Sequence, residues 1–140
     1  MGRILGRAKR GCRIFAKAAY FKSHRFDRGR SYELGFDIKS DFDNPNSTTV
    51  GAEFAGTSVT SGGDRANTIK NPDILYAENP HLKFFNDQRG YVRCTVTPQH
   101  WRTDYRLLEY VSRPGAPIET VASFICENGR PGVRRVYENM

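Results

Sequence analysis

The sequence predicts an α+β fold, mainly antiparallel β-strands preceded by a basic amphipathic helix. Three observations predict it. Residues 91–97 alternate, with Val92, Cys94 and Val96 on one face and Arg93, Thr95 and Thr97 on the other, the period of a half-buried strand. The apolar run Val121 to Cys126 enters Asn128-Gly129, a dipeptide suited to a tight antiparallel turn. Arg3 to Phe21 instead repeat at about 100° per residue.

In that first segment Ile4, Leu5, Ala8, Cys12, Phe15, Ala16 and Ala19 share a face, and Arg3, Arg7, Lys9, Arg10, Arg13 and Lys17 share the other. A helix of this kind suits an anionic membrane surface, with Arg3, Arg7, Arg10, Arg13 and Lys17 as the membrane-binding residues. Further on, Asn44-Pro45-Asn46-Ser47 is a turn signal, because Pro restricts the residue before it and Asn tolerates turn conformations. Val50 to Thr60 is rich in small and β-branched residues and reads as a strand, ended by Ser61-Gly62-Gly63-Asp64. Arg65 to Asn79 is polar, with Pro72 and Pro80 nearby, and is expected as a loop or a short helix. Thr103 to Val111 carries apolar residues on both faces and is expected as a covered strand. The strands of 91–97, 103–111 and 121–126 give three antiparallel strands. No internal repeat interrupts this order.

A chain of 140 residues suits one domain at most. Its net charge of +7 is unevenly placed: ten of the 22 Lys and Arg lie in residues 1–34, against Asp27 and Glu33. The remainder is close to neutral, which argues against a folded nucleic-acid-binding face. Cys12, Cys94 and Cys126 lack paired spacing. Cys94 and Cys126 read as small core residues, with a Cys94–Cys126 bridge as the alternative. No stretch is long and apolar enough to span a bilayer, and the N-terminus lacks the apolar centre of a secretory signal.

The run Asn79-Pro80-His81-Leu82-Lys83-Phe84-Phe85-Asn86-Asp87-Gln88-Arg89-Gly90-Tyr91 carries most information, with Val92 to Pro98, Trp101 to Tyr105 and Tyr110 to Pro117 behind it. Together with Glu53-Phe54-Ala55-Gly56-Thr57-Ser58 and Ser61-Gly62-Gly63, it closely resembles the C-terminal part of the alkaline phosphatase D-like metallophosphoesterases. The resemblance divides the chain into 1–30, unrelated to the family; 31–132, part of a metallophosphatase β-sandwich; and 133–140, a tail. It implies hydrolysis of phosphate mono- or diesters at a centre of iron and calcium in the intact enzyme. It also implies export, commonly through a twin-arginine signal, whereas Arg-Arg occurs here at Arg134-Arg135. The Gly-Asp-x-His motif expected just upstream of Ser31 is replaced by Arg25-Phe26-Asp27-Arg28-Gly29-Arg30. The first segment therefore reads as a product of truncation or a frameshift, and the chain as an inactive C-terminal fragment without a cofactor of its own. By the same resemblance Thr57, Ser58 and Ser61 fall at the rim of the substrate pocket, and phosphate esters become substrates when the missing core is supplied. The alternative is a non-enzymatic module that binds an anionic membrane or nucleic acid through its basic N-terminus.

Residue chemistry supplies no second site. His24, His81 and His100 are dispersed, lack D-x-H or H-x-H contexts, and read as loop or surface histidines. Asp37, Asp41 and Asp43 alternate but lack the Gly and Glu of a calcium loop, and read as a solvated acidic edge. Gly56-Thr57-Ser58 is followed by no Gly-Lys-Ser. Gln88 to Tyr91 and Trp101 to Tyr105 mix aromatic and basic residues, which suits nucleotide stacking but equally a packing network of Arg102, Asp104 and Tyr105.

Overall fold

A computed structural model describes residues 32–65 and 72–138. The predicted N-terminal amphipathic helix, with its five expected membrane-binding residues Arg3, Arg7, Arg10, Arg13 and Lys17, lies outside these. Strands β1 (Glu33–Lys39), β2 (Thr49–Ala55) and β3 (Leu82–Asn86), with helix α1 (Pro72–Glu78) between β2 and β3, form a sheet of order β2-β1-β3. Strands β4 (Arg89–Val96), β5 (His100–Leu108), β6 (Ile118–Glu127) and β7 (Arg130–Glu138) form a second sheet in chain order. Every pairing is antiparallel.

The alternation of β1 divides the core. Leu34 and Phe36 pack with Leu75 of α1 and with Leu82 and Phe85 of β3. Phe84 meets Tyr105, Ala122 and Phe124 between the two sheets, joined by partly buried Phe54 and Val92. Phe124 and Tyr105 are fully enclosed, and each such ring contributes roughly 1.5–3 kcal/mol by leaving water. The close approach of the sheets depends on Gly35, where a Cβ would stand 3.2 Å from the Tyr105 hydroxyl. That hydroxyl donates to the Leu34 carbonyl.

The turns follow their residues. Asn44 accepts from Asn46 N through its side chain and from Ser47 N through its carbonyl, at 3.0 and 2.9 Å. Pro72 opens α1 where its missing N–H costs nothing, and Asn79 closes it with Nδ2 on the Leu75 carbonyl at 3.0 Å. Asn128-Gly129 joins β6 to β7, with Gly129 at φ 78°.

Five expectations are corrected. The strand expected through Thr60 stops at Ala55. A Cβ at Gly56 would meet Val92 Cγ2 at 2.8 Å, and the chain there leaves its sheet for the edge of β4, where Ser58 O accepts from Gly90 N. Residues from 133, expected as a tail, carry most of β7, so the predicted three-stranded array has four strands and a second sheet packed on it. Cys94 is an exposed free thiol rather than a core residue, which also excludes the Cys94–Cys126 bridge; its strand is the edge of the sheet. Cys126 is buried, as expected.

Candidate functional site

The loop after β2, residues 56–64, gathers the three predicted rim residues and is tied down from beneath. Thr57 is half-buried and its Oγ1 accepts from Arg89 Nη1 at 2.8 Å. Ser58 Oγ donates to the Ser61 carbonyl at 2.7 Å, closing the turn, and Ser61 itself is exposed. The guanidinium of Arg89 reaches across the loop: a Cβ on Gly62 would stand 2.9 Å from Nη2, and Gly62 has φ 91°, so glycine is required there twice over. At the far end Asp64 Oδ1 accepts from Val111 N at 2.6 Å and Ser112 N at 2.9 Å, bonds that hold its carboxyl below the usual range. The loop is thus fixed to β4 and to the connection between β5 and β6.

Beneath it lies a charge cluster that sequence reasoning missed. Arg89 is 3% exposed, with Asp87 Oδ1 3.8 Å from Nη2. Glu33, at the start of β1 and opposite Asn86, is fully buried on the inter-sheet side, and neither carboxyl oxygen has a hydrogen-bond partner of good geometry. Burial pushes this carboxyl up to about 7, against the opposing pull of the Thr57 backbone and Arg89. Glu53, on the other side of the same sheet, is also raised to about 7 by burial. The missed signal was a charged residue opening an otherwise apolar strand, Glu33-Leu34-Gly35-Phe36, a pattern that suits a buried carboxyl as well as a solvated end.

The remaining candidates are not brought together. His81 is buried, its ring edge-on to Phe36 and Phe42 at 6.0 and 5.0 Å, which corrects the surface reading. His100 opens β5 beside Thr97. Asp37 is no solvated edge: its Oδ1 accepts from Val133 N at 2.7 Å and its Oδ2 lies 3.7 Å from Lys83 Nζ, joining the two sheets. Asp41 instead closes a local turn on Asp43 N. Among the described residues no three His, Cys, Asp or Glu side chains form a group able to hold a metal ion. The described residues do not fit an iron–calcium centre.

A second polar cluster covers the outer face of the β4–β7 sheet. Asp104 accepts from Arg102 Nε at 2.7 Å, Arg93 Nη2 at 2.8 Å and Ser123 Oγ at 2.6 Å. Burial raises its carboxyl, but these bonds outweigh burial and hold it at about 2. Tyr105, expected in this network, faces the opposite side of the sheet.

Comparison with known proteins agrees with this fold. The description PhoD-like phosphatase matches residues 31–105, more than half of the chain. The chain belongs to the PhoD-like phosphatase family. Alkaline phosphatase D of Bacillus subtilis (strain 168) is 52% identical over 100 residues, which cover 71% of this chain and 17% of that protein. A solved structure of PhoD superposes with a TM-score of 0.74 at 45% identity, over 79% of this chain and 21% of the other. The chain therefore spans less than a quarter of the length of either relative.

Proposed function

We propose that this chain supplies the C-terminal strand scaffold of a PhoD-like phosphoesterase and hydrolyses no phosphate ester alone. Family membership over residues 31–105 supports the first half, and the fixed loop 56–64 carries the reading. Arg89 and Gly90 of β4 hold one side of that loop and Asp64 ties the other to the connection between β5 and β6, so Ser61 and its neighbours stand in one geometry. A rim so anchored orients a substrate without reorganising when it binds. The Thr57 hydroxyl is taken by Arg89 of β4 and that of Ser58 by the Ser61 carbonyl, which leaves Ser61 as the residue of the three that meets substrate.

A chimera tests this reading. The 100 matching residues of Bacillus subtilis alkaline phosphatase D are replaced by those of this chain, and phosphate-ester hydrolysis is measured. Activity near that of the parent is expected, with Ser61→Ala raising KM more than it lowers kcat. A folded chimera without turnover would remove the scaffold assignment.

A further inference from the structure

Edge strands differ in how they avoid pairing with other chains, and β4 stands apart from the others here. β3 has five residues. β7 contains Pro131, and its pairing with β6 shifts register twice. The pairing of β2 with β1 is broken by a bulge at Ile38/Lys39. β4 pairs with β5 over eight residues without a shift, contains no proline, and exposes Tyr91 by 43% and Val96 by 63%.

We propose that β4 is a homodimerisation edge, which pairs antiparallel with β4 of a second copy about a two-fold axis at Cys94. The register follows from the backbone. Gly90 N bonds Ser58 O, away from β5, and Thr97 N bonds His100 O on the β5 side. Alternation along an antiparallel strand then directs the backbone groups of Val92, Cys94 and Val96 to the outer edge. Centring the axis on Cys94 sets Cys94 against Cys94 and each Val92 against the partner copy's Val96, so all three outward residues bond. An axis on Val92 needs the Gly90 N–H that Ser58 already holds. An axis on Thr95 or Val96 sets Pro98, which has no N–H, against an outward residue. An axis on Arg93 opposes two like charges.

The Cys94 register is chemically self-complementary. Valine meets valine on the inner face and Arg93 meets Thr95 on the outer, while Asp104, 2.8 Å away, compensates each Arg93 charge. Pro98 turns each strand away opposite Gly90, where Ser58 already occupies the edge. The occupant is therefore a second copy of this chain.

Amide exchange of the full-length chain, followed by NMR at increasing concentration alongside sedimentation, tests the register. A shift from monomer to dimer is expected, with about tenfold or slower exchange gained at Val92, Cys94 and Val96. Arg93 and Thr95, bonded to β5, remain protected throughout. Val96→Lys, at an exposed position, is expected to keep the fold and lose the dimer. A monomer at every concentration, a dimer that survives Val96→Lys, or protection of those three amides already in the monomer would each overturn the proposal, the last by showing the edge filled from within the chain.

Discussion

Glu33 and Asp104 are both buried carboxyls, yet their surroundings drive them in opposite directions. Asp104 has three hydrogen-bond donors and stays ionised; Glu33 lacks them and favours the protonated form. For Glu33 the folded value of about 7 lies above the ordinary 4.5, so its contribution is complete below pH 4.5 and is lost as pH rises through 7. A rise of this size corresponds to on the order of 3 kcal/mol. Glu53 acts in the same window, so Glu33→Gln is expected to remove part of the fall in stability between pH 4.5 and 8, and to melt higher than the parent at pH 8. Urea titrations across that range check it; an unchanged slope would contradict the buried carboxyl. Asp104 carries the reverse sign: its contribution is present above pH 3.8 and lost as pH falls toward 2. Asp104→Asn is expected to cost about 1–3 kcal/mol at pH 7, with the difference from the parent closing in acid. Equal losses at pH 7 and pH 2 would count against the network.

At the scale of elements, what was legible depended on whether one segment held the whole cause. The alternation of 91–97 and the Asn128-Gly129 turn are local, and β4, β6 and the hairpin into β7 follow from them. Residues 133–140 read as a tail because the family resemblance ends just before them, in the middle of what is β7. That strand is held by pairing with β6 and by Asp37 accepting from Val133 N, 96 residues away in sequence. Thr57, Ser58 and Ser61, the proposed rim residues, were legible as neighbours in a turn, but the clamp that fixes them was not, since Arg89 lies 32 residues from Thr57. Gly62→Ala combines an unfavourable φ with contact on Arg89, and is expected to cost about 1–3 kcal/mol. Its signature is faster amide exchange over 56–64 with the β5–β6 hairpin unchanged. Loss of protection throughout the chain would show that the loop is not an independent element.

The described residues form two antiparallel sheets bound by aromatic packing between Phe84, Tyr105 and Phe124, with the fixed loop bonded to β4. The family was legible because its residues run through the described strands with little interruption, and the comparisons cover most of the same span. Chemistry was not, because hydrolysis of a phosphate ester needs converging donors that activate water and neutralise oxygen charge. The described residues instead converge on packing and on fixing the loop 56–64. The central claim is that this chain orients a substrate but does not turn one over. Turnover of aryl phosphate mono- and diesters by the purified full-length chain, with iron and calcium supplied, tests it most directly. No hydrolysis above the metal-only blank is expected, whereas turnover that co-elutes with the chain and disappears with chelator would contradict the account.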